Sequence, residues 1–191
     1  MGTELKDYFS VKQNDIYAPY IYMRLRRLLR DGVEYHVTAR INRSEMILSP
    51  EEEKTLLLTV IKRAKKRYRF QIKNFCIMNN HLHLLIKPGE NESLSRIMQW
   101  ILSVFAMAWN RNHNLHGHVW GERFYSRIIE GIVDFLRVFI YIDENPVYAQ
   151  MVDFSWKWRF GGLWHHHRGI VGVTDPPDDI VMHYCPEHGM G

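Results

Sequence analysis

The sequence Met78–Ile86, MNNHLHLLI, predicts the strand around which the rest of the chain folds. The stretch is apolar, follows two asparagines and precedes Lys-Pro-Gly, and such residues bound strands. Because side chains alternate along a strand, His81 and His83 share one face, with Cβ atoms roughly 7 Å apart. The apolar side chains at 82, 84 and 86 share the other face, which must be core. Two imidazoles on one face can begin a divalent-metal site, although they can also lie on a half-exposed strand without an ion.

Length and composition indicate one ordinary domain with tails. The chain has 191 residues, of which 46% are hydrophobic, enough to form a core. No apolar run approaches the ~18 residues that span a bilayer, and the first residues lack the apolar stretch of a signal peptide. Cys76 and Cys185 are the only cysteines, too few for a disulfide framework. We therefore expect a cytoplasmic protein with no membrane association.

Basic residues are concentrated in two segments, although the net charge is only +4. The first runs from position 24 to 30 and holds Arg24, Arg26 and Arg27. The second runs from 62 to 69 and holds Arg63 and Arg67, one helical turn apart. Such clusters are typical of proteins that bind a polyanion, and each can equally be a solvated helix face.

Hydrophobic periodicity and turn residues predict an alternation of strands and helices. Ser49-Pro50 begins a helix, as N-cap and first helical residue, and Pro146 ends another at Asn145. In chain order we predict a strand at 33–41, a helix at 50–67, strands at 68–78 and 81–86, a helix at 93–111, a strand within 117–130 and a helix at 133–144. This βαββαβα order is typical of an α+β, ferredoxin-like or RRM-like split βαβ fold. We expect a four- to five-stranded antiparallel sheet with the two long helices on one face and an added helix.

The last of these helices carries two residue types suited to phosphoryl chemistry. Tyr141 and Asn145 are four apart and lie on one helical face. A tyrosine hydroxyl can act as a covalent nucleophile, and an amide oxygen is a hard ligand suited to Mg²⁺ or Mn²⁺. The same spacing also fits a core aromatic followed by a C-terminal cap.

Three segments together resemble one bacterial family. Residues 80–85 (NHLHLL) resemble the His-hydrophobic-His strand of single-tyrosine HUH transposases. Residues 117–126 (GHVWGERFYS) resemble the Gly-x-x-Trp-x-x-Arg-Phe segment of one branch, and residues 141–149 (YIDENPVYA) resemble its Tyr-Ile-x-x-Asn-Pro-Val-x-Ala ending. That branch is the REP-associated tyrosine transposases. One departure is Tyr148, where the family commonly has arginine.

The resemblance covers roughly Tyr35 to Val152 and suggests three regions. We expect an N-terminal leader over 1–32, an HUH single-tyrosine transposase domain over 33–152, and a basic, aromatic tail over 153–191. The tail has few structure signals, and we expect it to be partly disordered at its end.

The resemblance implies a reaction and its residues. His81 and His83 would bind a divalent metal, Mg²⁺ or Mn²⁺, with Asn145 at the position of a third ligand. Tyr141 would attack a phosphodiester of single-stranded DNA and form a 5′-phosphotyrosine, which permits rejoining. The substrate would be a REP-type hairpin with a nearby guide tetranucleotide, bound by a monomer or a homodimer.

The expected DNA contacts extend beyond the catalytic residues. We predict phosphate or base contacts from Arg24, Arg26, Arg27, Arg63, Arg67, Arg123, Arg127, Trp120 and Trp158. Three alternatives remain: a DNA-binding protein of this fold that does not cleave, a metal-dependent nuclease that uses water, and an RNA-binding module. The histidines argue against the last, because RNA-binding modules stack bases on aromatic residues there.

Overall fold

A computed structural model describes residues 32–189, so residues 1–31 of the predicted leader, with Arg24, Arg26 and Arg27, lie outside the described residues. The predicted order of elements is confirmed. In chain order the strands and long helices are β1 (Tyr35–Arg40), α1 (Glu51–Arg67), β2 (Phe70–Ile77), β3 (His81–Pro88), α2 (Leu94–His113), β4 (Tyr125–Ile128) and α3 (Gly131–Tyr148). Two short helices follow, α4 (Gly162–His167) and α5 (Asp179–Tyr184).

The strands form one four-stranded sheet in the order β2-β3-β1-β4. All three neighbouring pairs are antiparallel, and β3 lies between β1 and β2. This is the split βαβ arrangement, and the predicted fold class is confirmed. The register places Thr38 opposite His83 and Arg40 opposite His81.

Helices α1 and α2 cover one face of this sheet, as their apolar stripes predict. Leu57 and Ile61 of α1 and Ile101 of α2 pack in one core with Leu84 of β3, and all four are fully buried. Burying each such side chain stabilises the fold by about 1.5–3 kcal/mol. The start of α1 differs from the prediction by one residue, because Pro50 rather than Ser49 occupies the N-cap position.

Helix α3 packs on the opposite face, in a second core. Its buried residues Phe139 and Ile142 contact the sheet around Leu85 and Cys76. The predicted end of this helix was wrong, since Pro146 lies inside α3, which continues to Tyr148. Proline removes one backbone donor, but a single missing bond in the last turn is tolerated when the adjoining residues are packed.

The segment after Val152 is folded onto the domain, contrary to the expectation of a partly disordered tail over its described part. A backbone bridge joins Gly161 to Cys76 of β2. Gly162 lies so close to the Asn74 side chain that a Cβ atom would overlap its amide oxygen. Ion pairs join Lys73 of β2 to Asp178 and Lys65 of α1 to Asp175. These tertiary contacts hold a segment that has little intrinsic propensity of its own.

No helix among residues 32–189 is both long and apolar enough to cross a membrane.

Candidate active site

His81 and His83 project from the central strand β3 toward the layer that contains α3. Their ring centroids are 4.8 Å apart. His83 is 1% exposed, whereas His81 is half-buried. The tight Asn79-Asn80 connection sets the start of this strand, because the Met78 N–H donates to the His81 carbonyl at 2.8 Å across it.

A third histidine, His36 of β1, adjoins this pair and was missed by the sequence analysis. Its Nε2 lies 3.0 Å from His83 Nδ1, and Thr38 Oγ1 lies 3.2 Å from the same nitrogen. The signal was present in the sequence, because the strand predicted at 33–41 has apolar residues at 35, 37 and 39 that alternate with polar residues. Positions 36, 38 and 40 therefore share the other face, but only the pairing of β1 with β3 brings them to His83.

Burial keeps all three imidazoles neutral near pH 7. Desolvation lowers the pKa of His36 to about 4, with a further contribution from the Arg127 charge. Desolvation also lowers the pKa of His81 to about 4, assisted by Arg40. For His83 desolvation comes first and the neighbouring histidines add to it, so its pKa falls well below the usual value. A neutral imidazole keeps the lone pair that a metal requires.

The hydrogen bonds leave the same ring atom, Nε2, for a ligand on both His81 and His83. His81 Nδ1 lies 2.6 Å from Asn80 Oδ1, and His83 Nδ1 is held by His36 and Thr38. His83 Nε2 is buried and has no hydrogen-bond partner among residues 32–189. A buried polar atom without a partner is costly, and a cation would satisfy it. The two imidazoles thus fit a divalent metal.

Further ligands would have to be oxygen atoms. Within the described part of the chain, no three His, Cys, Asp or Glu side chains are grouped to hold a metal ion. Asn145, predicted as the third ligand, is buried on α3, and its amide nitrogen donates to the Tyr141 carbonyl at 2.6 Å. Its amide oxygen is the atom that a hard cation would use.

Tyr141 contacts the histidines directly. Its ring centroid lies 5.5 Å from that of His83 and 5.9 Å from that of His36, both edge to face. The side chain is half-buried. The face of α3 that carries Tyr141 therefore docks beside the predicted histidines, and a phenol and neutral imidazoles meet at one point of the sheet.

Tyr125 and Tyr148 are alternative candidates for the nucleophile. Tyr125 is opposite Thr38 on edge strand β4, on the same sheet face, and is 48% exposed. Tyr148 ends α3 and is 58% exposed. Tyr141, by contrast, makes ring contacts with both His36 and His83.

Arg127, predicted to contact DNA, is engaged within the protein. Its two terminal nitrogens bind the two carboxylate oxygens of Asp134 at 2.8 and 2.9 Å. Bidentate pairs of this kind are strong and orienting. Arg127 therefore joins β4 to the first turn of α3, and two of its terminal N–H groups are already paired within the protein.

The other predicted DNA contacts lie at three places: on helix α1, at a surface cleft, and against the end of β2. Arg63 and Arg67 are exposed on α1, which covers the sheet face opposite to the histidines, and they stack on Trp100 and Tyr68. Trp120 donates to the Leu102 carbonyl at 2.9 Å and lines a cleft of ≈ 470 Å³ together with exposed Arg123. Trp158 is half-buried and donates to the Ile77 carbonyl, so it packs as part of the domain.

Comparison with solved structures defines the class of fold. The chain is similar to a REP-associated tyrosine transposase whose structure was solved bound to a REP hairpin, with a TM-score of 0.66 and 21% sequence identity. The alignment covers 82% of this chain and 93% of that one. A protein from Deinococcus radiodurans R1, described as a transposase, aligns over 64% of this chain and 97% of its own, with 14% identity and a TM-score of 0.43. The first of these similarities shows that the chain shares the fold of that hairpin-bound protein.

The family follows from the sequence itself. Residues 30–145 match the family described as IS200-like transposases, which spans more than half of the chain. The protein belongs to this family of DNA transposases. No curated protein matches at a significant level.

Proposed function

We propose that this transposase cleaves single-stranded DNA beside a REP-type hairpin with Tyr141 as nucleophile, forms a 5′-phosphotyrosine, and can rejoin strands. One observation carries the proposal: the Tyr141 ring lies against His83 and His36, on the sheet face that His81 shares. Belonging to a transposase family supports DNA strand cleavage as the activity. The relative solved with a REP hairpin supports hairpin DNA as the partner.

His81, His83 and Asn145 are the residues that would hold Mg²⁺ or Mn²⁺. The neutral imidazoles and the unpartnered His83 Nε2 support this role. A divalent cation bound there would polarise a phosphoryl oxygen and stabilise the charge that develops on it. His36 and Thr38 would keep His83 in the tautomer that directs Nε2 toward the cation.

Tyr141 would make the covalent bond. Its hydroxyl oxygen bonds to the phosphorus as the bond between phosphorus and the 3′-oxygen breaks, the phenol loses its proton, and the 3′-oxygen gains one. The phosphodiester is exchanged for a phosphotyrosine ester, so rejoining needs no nucleotide cofactor. Helix α3 fixes the phenol near the histidines, which lowers the entropic barrier to attack.

DNA binding would use cations beyond this centre. Arg63, Arg67 and Arg123 are exposed and are proposed as phosphate contacts, and Trp120 is proposed to meet an unpaired base at the cleft it lines. Arg127 is left out of this set because Asp134 occupies its guanidinium.

The deciding experiment compares Tyr141→Phe with the unaltered protein on a labelled REP-type hairpin carrying an unpaired flank. We expect Tyr141→Phe to bind the hairpin with near-normal affinity and to form no covalent adduct on a denaturing gel. Tyr125→Phe and Tyr148→Phe are the matched controls and should both retain the adduct.

Three outcomes would contradict the proposal in different ways. An adduct that maps to Tyr125 or Tyr148 would reassign the nucleophile. Cleavage without any adduct would indicate a nuclease that uses water. Hairpin binding by the unaltered protein without any cleavage in Mg²⁺ or Mn²⁺ would indicate a binding protein of the same fold.

A further inference from the structure

Arg40, the last residue of β1, lies at the edge of the histidine site. The register places it directly opposite His81. Because alternate residues of a strand share a face, its side chain is on the same face as His36 and Thr38, which both contact His83. Arg40 is therefore the third in a row of β1 side chains directed toward the proposed site of cleavage.

The charge of Arg40 is available at this position. The residue is exposed, and its side chain makes no hydrogen bond or ion pair with another residue of 32–189. Its backbone, by contrast, is fixed, because its carbonyl accepts the Gly121 N–H at 3.0 Å.

Arg127 of β4 is already engaged in an ion pair. It lies opposite His36, and Asp134 accepts two hydrogen bonds from its terminal nitrogens. Arg40 is thus the exposed arginine that β1 brings to the same face as both His81 and His83.

We propose that Arg40 binds the non-bridging oxygens of the phosphodiester that Tyr141 attacks. This inference rests on the proposed function and adds to it a phosphate-binding residue. An arginine fork matches the geometry of a phosphate and keeps its charge at all relevant pH values. When Tyr141 bonds to the phosphorus and the 3′-oxygen leaves, negative charge grows on those oxygens, and Arg40 stabilises it from the side of β1.

The test pairs Arg40→Gln with a change in the DNA. The substrate is the hairpin with an unpaired flank, either unmodified or with a neutral methylphosphonate at the attacked phosphate. On unmodified DNA at saturating protein, we expect Arg40→Gln to slow single-turnover cleavage by about 10²- to 10³-fold. Arg40→Lys should recover part of that loss. On methylphosphonate DNA the two proteins should differ little, because the group that Arg40 recognises has been neutralised.

A binding experiment tests the role of Arg40 even if the protein cleaves no DNA. In the Tyr141→Phe background, methylphosphonates are placed at each phosphate of the flank in turn. Arg40→Gln should weaken binding of unmodified flank DNA. In this variant, a methylphosphonate should change the affinity as it does in the protein with Arg40, except at one phosphate, where it should have no effect. Arg111→Gln, an exposed arginine of α2 on the opposite side of the sheet, is the control with the same change of charge.

These arms separate the two proposals. If the adduct forms at Tyr141 but Arg40→Gln behaves like Arg111→Gln in rate and in binding, the role of Arg40 is refuted and the proposed function stands. If no adduct forms but the coupling of Arg40 to one phosphate persists, Arg40 binds the phosphate and the proposed cleavage is refuted. Loss of Mn²⁺ binding or of thermal stability in Arg40→Gln would make the residue structural and would also refute its role.

Discussion

His83 is the residue on which the site depends most. It is buried in a central strand, its Nδ1 is held by two β1 side chains, and its Nε2 is left without a partner in the described residues. An imidazole with one nitrogen held by hydrogen bonds and the other without a partner among residues 32–189 is arranged as metal-ligating histidines are. The neighbour that fixes it, His36, should therefore affect the metal without touching it.

We expect His36→Phe to weaken Mn²⁺ binding by about 10- to 100-fold, because the orientation and tautomer of His83 are no longer enforced. Isothermal titration of the DNA-free protein measures this directly. Hairpin affinity should be unchanged, since phosphate contacts elsewhere carry it.

Two further variants should affect Mn²⁺ binding more and less strongly than His36→Phe. His83→Ala should abolish Mn²⁺ binding, and Thr38→Val should weaken it less than His36→Phe. Unaltered Mn²⁺ affinity in His36→Phe would show that His36 does not position His83.

At the scale of residues, the sequence predicted which side chains of one strand share a face, and it missed the contacts between neighbouring strands. His81 and His83 stand two apart, so alternation alone puts them on one face. His36 and Arg40 join them only through the β1–β3 register, which depends on the whole sheet. The engagement of Arg127 by Asp134 could not be predicted either, because exposed arginines and paired ones have the same sequence signal.

At the scale of elements, α3 is held from both sides. One side packs on the sheet, and the other meets the C-terminal segment through a buried contact between Asp143 and His188 at 2.8 Å. Asp143 also accepts from Asn74 of β2 at 3.0 Å. The helix that carries Tyr141 is thus fixed by a segment far along the chain.

We expect His188→Ala to lower the free energy of unfolding by about 1–3 kcal/mol, because Asp143 loses one of its buried partners. Denaturant unfolding followed by circular dichroism measures the loss. His183→Ala, an exposed histidine of α5, is the control and should have almost no effect. Equal stability of both variants would mean that the C-terminal segment does not support α3.

The sequence predicted α1 and α2 almost to the residue because their apolar periods are long. It misjudged the end of α3, where Pro146 gives a local stop signal that packing overrides. It also missed α4 and α5, which have six residues each and owe their structure to contacts with β2 and α3. Local pattern predicts elements that are stable by themselves better than elements that depend on neighbours.

At the scale of the whole molecule, the two sheet faces carry different groups of residues. The histidines and Tyr141 lie on one face, and the basic end of α1 covers the other. DNA that contacts both must reach around the sheet edge. Binding and cleavage are therefore expected to respond to different residues.

We expect hairpin affinity to fall steeply with salt, and the double variant Arg63→Gln, Arg67→Gln to lower the slope of log K against log salt by about 1 to 2. Fluorescence anisotropy between low and physiological salt measures this slope. The cleavage rate at saturating protein should not change, because α1 lies away from the catalytic face. A slope equal to that of the unaltered protein would exclude α1 from the DNA contact.

Stability should depend on pH through the buried histidines. Their pKa values are lowered in the folded state, to about 4 for His36 and His81, whereas an unfolded histidine titrates near about 6.5. Between these values the unfolded chain binds more protons, so the free energy of unfolding decreases as the pH falls from about 6.5 toward 4.

Denaturant unfolding at several pH values, with metal chelated, measures this decrease. His36→Phe should reduce the pH dependence, since one depressed imidazole is removed. A free energy of unfolding that stays level or rises between pH 6.5 and 4.5 would contradict neutral burial of these rings.

The central position of β1 and β3 has a consequence for amide hydrogen exchange. Both strands are paired on either side, so the amides of residues 36–38 and 82–85 can exchange only when the sheet itself opens. Helix α3 packs on one face of the sheet and takes no part in the strand pairing, so it can open locally at a lower free energy. Deuterium should enter the amides of α3 long before it enters those of the strands that carry the histidines. The part of the site that holds Tyr141 should therefore open more often than the part that holds the histidines.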